Sequence, residues 1–179
     1  MGRDDAAANR LINDQGQDIA QRTFISGYKD LTQAQFNSFY RAALDEAINI
    51  GDTFLLSTDS GASQMALAYL KAKNVEPRRI TIYLATHSMH SMAEKDQRAS
   101  FESDAYHVVM VEGSVDDRDA AMTDASDSDL LWLKASDKFG PGMSAADVMD
   151  ASFEGVKENK RRRDEAAIQE AMDFYDTIV

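Results

Sequence analysis

The residues best suited to chemistry lie in one short loop between a predicted strand and a predicted helix. Residues 53–56 (TFLL) form an apolar run of the length expected for a buried strand. Seven small residues follow, in the order Ser57, Thr58, Asp59, Ser60, Gly61, Ala62 and Ser63. Residues 65–70 (MALAYL) are apolar nearly all round, which indicates a buried helix.

When a strand leads through a loop of small residues into the first turn of a helix, several backbone N–H groups point at one spot. The helix dipole adds partial positive charge there, so the loop is suited to hold an anion, most often a phosphate. The alternative is a tight turn without a ligand, capped by Asp59 or Ser60, because a single glycine is a weak signature. The elements around this loop must therefore be established before a ligand is considered.

Five short apolar runs alternate with helical patterns along the chain. The strands are predicted at residues 22–26, 53–56, 80–85, 106–111 and 130–133. A helix is predicted over residues 32–48, with Thr32 as its N-cap and Gly51 as its stop, and another over 115–125. Two helical stretches follow residue 145, and residues 1–21 form an arm or a peripheral helix. Apolar strands alternating with helices predict a parallel sheet covered on both faces.

The topology places several polar loops at one edge of this predicted sheet. Ser26, Gly27 and Tyr28 follow the first strand, Asp59 follows the second, and Thr86 follows the third. In parallel α/β sheets, ligands bind beyond the carboxyl ends of the strands. These loops are therefore expected to converge on one crevice.

Composition and charge exclude several classes of function. The 179 residues suit a single domain, and the formal net charge of −12 disfavours broad binding to nucleic acid or anionic membrane. Without cysteine the chain has neither a disulfide framework nor thiolate chemistry, which fits the cytoplasm. No apolar run approaches the length of a membrane span, and the first residues lack the apolar core of a signal peptide.

The charges are distributed unevenly. Seven acidic residues lie between positions 112 and 129, against the single basic residue Arg118, whereas five basic residues lie between positions 157 and 163. The basic run could contact a phosphate from a helix, with Arg161 and Arg162 as candidates. Alternatively, it is a solvated helix face that pairs with the acidic segment. An interruption of the apolar stripe near Lys160 and Arg163 favours a site.

A metal site is not predicted. His87 and His90 are three residues apart, but no third ligand accompanies them. The run Asp127, Ser128, Asp129 could bind magnesium or orient a ribose, or it could simply cap and solvate a turn before the fifth strand.

Four segments, taken in order, resemble the SLOG superfamily: FISGYKDL, GDTFLLSTDSGASQMALAYL, ITIYLA and RDAAMTDASDSDLLWL. That group includes the LOG phosphoribohydrolases and the DprA-type DNA-processing proteins. The resemblance implies a three-layer Rossmann-like α/β domain over residues 22–179, with about five parallel strands and a long C-terminal helix. The chain departs from relatives at Ser63, where they carry a second carboxylate, and it lacks the PGGxGT loop of the LOG enzymes.

The resemblance implies binding of a nucleotide or nucleotide-derived small molecule through the loop at residues 57–63. The alternative is an enzyme that hydrolyses the N-glycosidic bond of a nucleoside or nucleoside monophosphate. Asp59 and Glu158 are then the catalytic candidates, Glu158 by analogy with the acidic residue that follows the glycine-rich loop in LOG enzymes. No cofactor is predicted, and the oligomeric state is left open, with a homodimer among the alternatives. The predicted ligand-binding residues are Ser26, Gly27, Tyr28, Ser57, Thr58, Ser60, Gly61, Ala62, Ser63, Arg161 and Arg162.

Overall fold

The computed structural model describes residues 19–59, 61–86 and 92–131, together with residues 161, 162 and 165. The five strands in these ranges are β1 (Arg22–Ile25), β2 (Thr53–Ser57), β3 (Ile80–Ala85), β4 (His107–Val111) and β5 (Ser128–Leu130). The five α-helices are α1 (Gln33–Phe39), α2 (Arg41–Ile50), α3 (Ala62–Ala72), α4 (Met92–Ser103) and α5 (Val115–Ala125). A short 3-10 helix, Pro77–Arg79, leads into β3. Arg161, Arg162 and Glu165 are helical.

All five strands are parallel, and their order in the sheet is β4-β3-β2-β1-β5. The chain therefore moves in one direction from β1 to β4 and returns through α5 to place β5 on the free side of β1. The predicted α/β class is confirmed: this is a Rossmann-like sheet with helices on both faces. The strand order reverses between β1 and β5, which makes their carboxyl ends the topological switch point.

The two faces of the sheet carry separate apolar clusters. The larger cluster packs α1, α2 and α3 against one face, and Phe101 of α4 joins it. The smaller cluster lies under α5 on the other face, where Met122 contacts Phe24, Leu55 and Tyr83. Successive side chains of each strand thus point to opposite faces of the sheet and pack in different clusters, as the pleat of a strand requires. This explains why the central strands are apolar throughout.

The predicted helix over residues 32–48 is two helices in the structure. Its N-cap is confirmed: the Thr32 hydroxyl accepts a hydrogen bond from the Gln35 N–H, and the Gln35 side chain accepts one from the Thr32 N–H. Its stop is confirmed too, since Gly51 ends α2 in the left-handed conformation at φ 100°. The break falls at Tyr40, which is buried and donates its hydroxyl to the Ser26 carbonyl. Apolar periodicity does not reveal such an anchor.

Two further boundaries differ from prediction. The fifth strand, predicted at residues 130–133, begins earlier and occupies Ser128–Leu130, where Leu130 pairs with Ile25 and accepts the Ser26 N–H. Residues 132 and 133 lie outside the described residues. At the other end of this pairing, Asp127 accepts two hydrogen bonds from the Arg22 guanidinium. The polar segment 86–104, for which the sequence leaves an irregular chain or a short helix open, contains the 12-residue helix α4, Met92–Ser103. No helix in the described ranges is long and apolar enough to cross a membrane.

Candidate functional site

The loops after β1 and β2 pack directly against each other at the carboxyl edge of the sheet. The Ala62 N–H donates to the Tyr28 carbonyl at 3.3 Å. Gly61 has φ +82°, and a Cβ atom built there would lie 2.0 Å from the Tyr28 oxygen. Two loops that the sequence predicts to converge therefore do so. The close contact between their backbones by itself accounts for the glycine.

The hydroxyls of the second loop form a buried chain within the protein. Ser57 Oγ donates to Ser63 Oγ at 3.1 Å, and Ser63 Oγ donates to the Ile25 carbonyl at 3.3 Å. The Asp59 N–H donates to Ser57 Oγ at 3.3 Å, which tightens the turn. Ser57 and Ser63 thus tie β2, α3 and β1 together. Thr58 is half-buried, and Ser60 lies outside the described residues.

The first turn of α3 remains the electropositive feature of this loop. The opening N–H groups of any α-helix have no partner within the helix. In α3 the Ala62 N–H donates to the Tyr28 carbonyl, and the next N–H groups along the first turn are those of Ser63 and Gln64. Among the described side chains, none caps this terminus. An anion would therefore meet the Ser63 and Gln64 N–H groups and the positive end of the dipole.

Ser26 and Gly27 occupy the switch point itself. Ser26 donates its N–H to Leu130 and accepts the Tyr40 hydroxyl at its carbonyl. Its own side-chain oxygen is buried and has no hydrogen-bond partner among the described residues. A Cβ atom at Gly27 would lie 2.2 Å from the Tyr40 hydroxyl oxygen, so only glycine fits this position. Ser26 is therefore a buried polar group in need of a partner.

The Asp59 carboxylate is held by an arginine that the sequence analysis did not select. Arg118, on α5, donates from Nη2 to Asp59 Oδ2 at 2.6 Å. The same guanidinium donates from Nη2 and Nε to Asp119 Oδ1, at 2.7 and 2.9 Å. The Arg118 side chain is only 3% exposed, whereas that of Asp59 is 30% exposed. Arg118 thus fixes one oxygen of a carboxylate that still reaches solvent.

Burial sets the electrostatics of this cluster. Burial raises the pKa of the Asp119 carboxyl above its ordinary value, and the charge of Arg118 opposes that effect. Two carboxylates share one guanidinium here, and Asp119 is the less exposed of the two. Each carboxylate is therefore stabilised less by Arg118 than it would be if it were the only partner of that guanidinium.

One residue of the C-terminal basic run, Arg162, influences the same cluster. The positive charge of Arg162 lies near enough to Asp119 to lower the pKa of that carboxyl. Arg161 instead pairs with Glu165, one turn later on its own helix, and is exposed. The two alternatives for the basic run stay open, because its other members, Lys157, Lys160 and Arg163, lie outside the described residues. Glu158 lies outside the described residues.

The other candidate residues either bond elsewhere or lie outside the described residues. Thr86 accepts a hydrogen bond from the Gly113 N–H at 3.0 Å, which links the loops after β3 and β4. His107 is exposed on β4, far along the sheet from β1. His87 and His90 lie outside the described residues. No group of three His, Asp or Glu residues suited to a metal was found in the described ranges.

Arg118 carries two sequence signals that could have identified it. It is the single basic residue in the acidic segment 112–129. It also precedes Met122 by four positions, so both side chains point to the sheet from one face of α5. A charged residue on the apolar face of a helix requires a partner of opposite charge, and Arg118 has two, Asp59 and Asp119.

Comparison of the chain with models of protein families, with curated proteins and with solved structures found no match.

Proposed function

We propose that this protein binds a nucleotide or nucleotide-derived small molecule in the crevice at the carboxyl ends of β1, β2 and β5. The observation that carries the proposal is the fixed, half-exposed carboxylate of Asp59. Arg118 holds its Oδ2 atom, while Oδ1 has no hydrogen-bond partner within the described ranges. A carboxylate oxygen held in this way accepts hydrogen bonds from sugar hydroxyls at little entropic cost.

The phosphate end of the ligand is assigned to α3. The helix begins three residues after Asp59, and its Ser63 and Gln64 N–H groups face outward along the axis. A ribose phosphate carries an anion and hydroxyl donors within a few ångströms of each other. One such unit therefore matches both the helix terminus and the carboxylate.

The Ser26 hydroxyl supports the same location. It is a buried polar group without a described partner, and it lies where the strand order reverses. Open α/β sheets bind their ligands at that point of the topology. Arg162 adds a positive charge near Asp119. The absence of cysteine supports a cytoplasmic location for this activity.

Calorimetric titration of the full chain with AMP, adenosine and inorganic phosphate tests the proposal. We expect AMP to bind more tightly than either fragment. The Asp59→Asn variant should bind AMP about 10 to 100 times more weakly, because a hydrogen bond to a charged group is lost. Asp124→Asn, an exposed position on α5, is the matched control and should bind like the parent. A parent protein that binds none of a broad nucleotide panel would overturn the proposal.

The second candidate function is hydrolysis of an N-glycosidic bond, and the same Asp59 geometry favours it. An ionised carboxylate fixed beside a bound ribose stabilises positive charge that develops at the anomeric carbon. Glu158 is the other candidate acid or base. Chromatography for released base is the test, and Asp59→Asn should lower the rate ~10²–10⁴-fold while AMP binding survives in part. If the protein binds AMP tightly but releases no base over hours, hydrolysis is refuted and only the binding function stands.

A further inference from the structure

The two edges of the sheet are built differently. Among the described strands, β4 and β5 each pair with one neighbour only. Natural sheets protect such edges with short strands, charged side chains, bulges or proline, because an open edge pairs with other chains. β5 follows this rule, since it has three residues and carries Asp129. β4 has five residues, His107–Val111, and none of them is acidic, lysine, arginine or proline.

β4 has the composition of a central strand at an edge position. Val108 and Met110 pack toward the face covered by α1–α4, and Val109 and Val111 pack toward α5. All four side chains are nevertheless only half-buried. The residues that face the same two layers from β2 and β3 are buried, including Leu55, Leu56, Ile82 and Tyr83. The apolar surface left on β4 favours association.

We propose that β4 pairs with β4 of a second copy across a two-fold axis, so that two five-stranded sheets join into one. A two-fold axis makes the two strands antiparallel and places one residue opposite itself. Only a register centred on Val109 pairs all five residues of the strand. Val108 then lies opposite Met110, and His107 lies opposite Val111.

This register is self-complementary in charge. No acidic, lysine or arginine side chain lies in the paired strands, so no like charges meet across the axis. The other edge is a poorer partner, because β5 is shorter and carries Asp129. A contact between β4 and β5 of another copy would also be head-to-tail, which gives a ring or an open filament of copies and not a two-fold dimer. The β4 edge is therefore best matched by β4 of a second copy, and this pairing does not depend on which ligand the crevice binds.

Light scattering after size-exclusion chromatography measures the expected assembly. The full chain has a mass of 19.8 kDa, and we expect about twice that mass at high micromolar concentration, falling toward one chain on dilution. A protein that stays monomeric at every concentration would overturn the proposal. A dimer that forms through another surface is distinguished by the next experiment.

The absence of cysteine permits a direct test of the register. Residues directly opposite in antiparallel strands have Cβ atoms about 4.5–5.5 Å apart, close to disulfide distance. A Val109→Cys variant should therefore form a covalent dimer under mild oxidation. Asp129→Cys, half-exposed on the opposite edge, is the matched control and should form no covalent dimer. Equal cross-linking of both variants, or none at Val109→Cys, would contradict the pairing.

Charge complementation gives an independent test. Val109→Lys and Val109→Glu each place two like charges opposite one another, and each should raise the dissociation constant of the dimer by at least about tenfold. Mixing the two variants should restore the dimer, because opposite charges then meet. Circular dichroism shows whether each variant is folded, and the cysteine experiment decides if either is not. Folded variants that dimerise like the parent would refute the self-paired position of Val109.

Discussion

Replacing Arg118 with methionine tests the electrostatic centre of the site. The change removes the guanidinium and keeps a side chain of similar length, so that Asp59 and Asp119 lose the donor that they share. Breaking a buried ion pair by removing one partner costs about 3–5 kcal/mol. Asp59 is 30% exposed and can rehydrate, so we expect the lower end, about 3 kcal/mol. For a chain of this size, that loss lowers the unfolding temperature by roughly 6–12 °C.

Urea denaturation of the parent and variant at neutral pH measures this loss. Arg98→Met is the matched control, because Arg98 forms an exposed pair with Glu102 that contributes about 0.3–0.5 kcal/mol. Adding Asp119→Asn to Arg118→Met should recover part of the loss, since one unpaired carboxylate is removed. A loss at Arg118 no larger than at Arg98, or no recovery in the double variant, would refute the shared-guanidinium description.

Two further predictions concern the loop contact and the pH dependence of stability. Gly61→Val should lower the free energy of unfolding by about 3 kcal/mol or more, because the valine side chain would overlap the Tyr28 carbonyl. Gly51→Ala is the control: the nearest atom to its added Cβ lies 3.9 Å away, so this change should cost about 1 kcal/mol. Thermal unfolding compares the two, and equal losses would contradict the close packing at Gly61. The raised pKa of Asp119 means that the folded state holds this proton more tightly than the unfolded state, so its contribution to stability is lost as the pH rises above the ordinary value of 3.8. Asp119→Asn should therefore gain stability relative to the parent as the pH rises above 3.8, and a relative loss would show that Arg118 outweighs burial.

Local patterns in the sequence predicted most of the fold. β3 and α5 have the predicted bounds, and Thr32 and Gly51 end their helices as expected, because each signal acts over a few residues. The break at Tyr40 was not predicted; the Tyr40 hydroxyl bonds to the Ser26 carbonyl, fourteen positions away, and apolar periodicity does not specify a contact at that separation. The shift of β5 has a similar origin, since its position depends on pairing with β1.

The contact between the first two loops was predicted, whereas the partners of their side chains were not. The convergence of the first two loops follows from parallel topology, and the contact between Gly61 and Tyr28 agrees with it. The pairing of Asp59 with Arg118 spans 59 positions, and no local pattern specifies a partner at that distance. The role of Ser63 was also not visible, because its hydroxyl bonds to the Ile25 carbonyl on another strand. Ligand binding remains a prediction.

The position of β1 in the sheet has a consequence for how the chain folds during synthesis. Thr23 of β1 contacts Ser128 of β5, which is 105 positions later in the chain. At about 5–20 residues per second, the ribosome delivers that partner roughly 5–20 s after β1. Until then, β1 through β4 can assemble with one side of β1 unpaired, and a chaperone or a neighbouring nascent chain could occupy it. Pulse-labelling of truncated nascent chains should therefore show protection of the Ser26 amide, which donates to the Leu130 carbonyl, rising only when residues 128–130 have emerged.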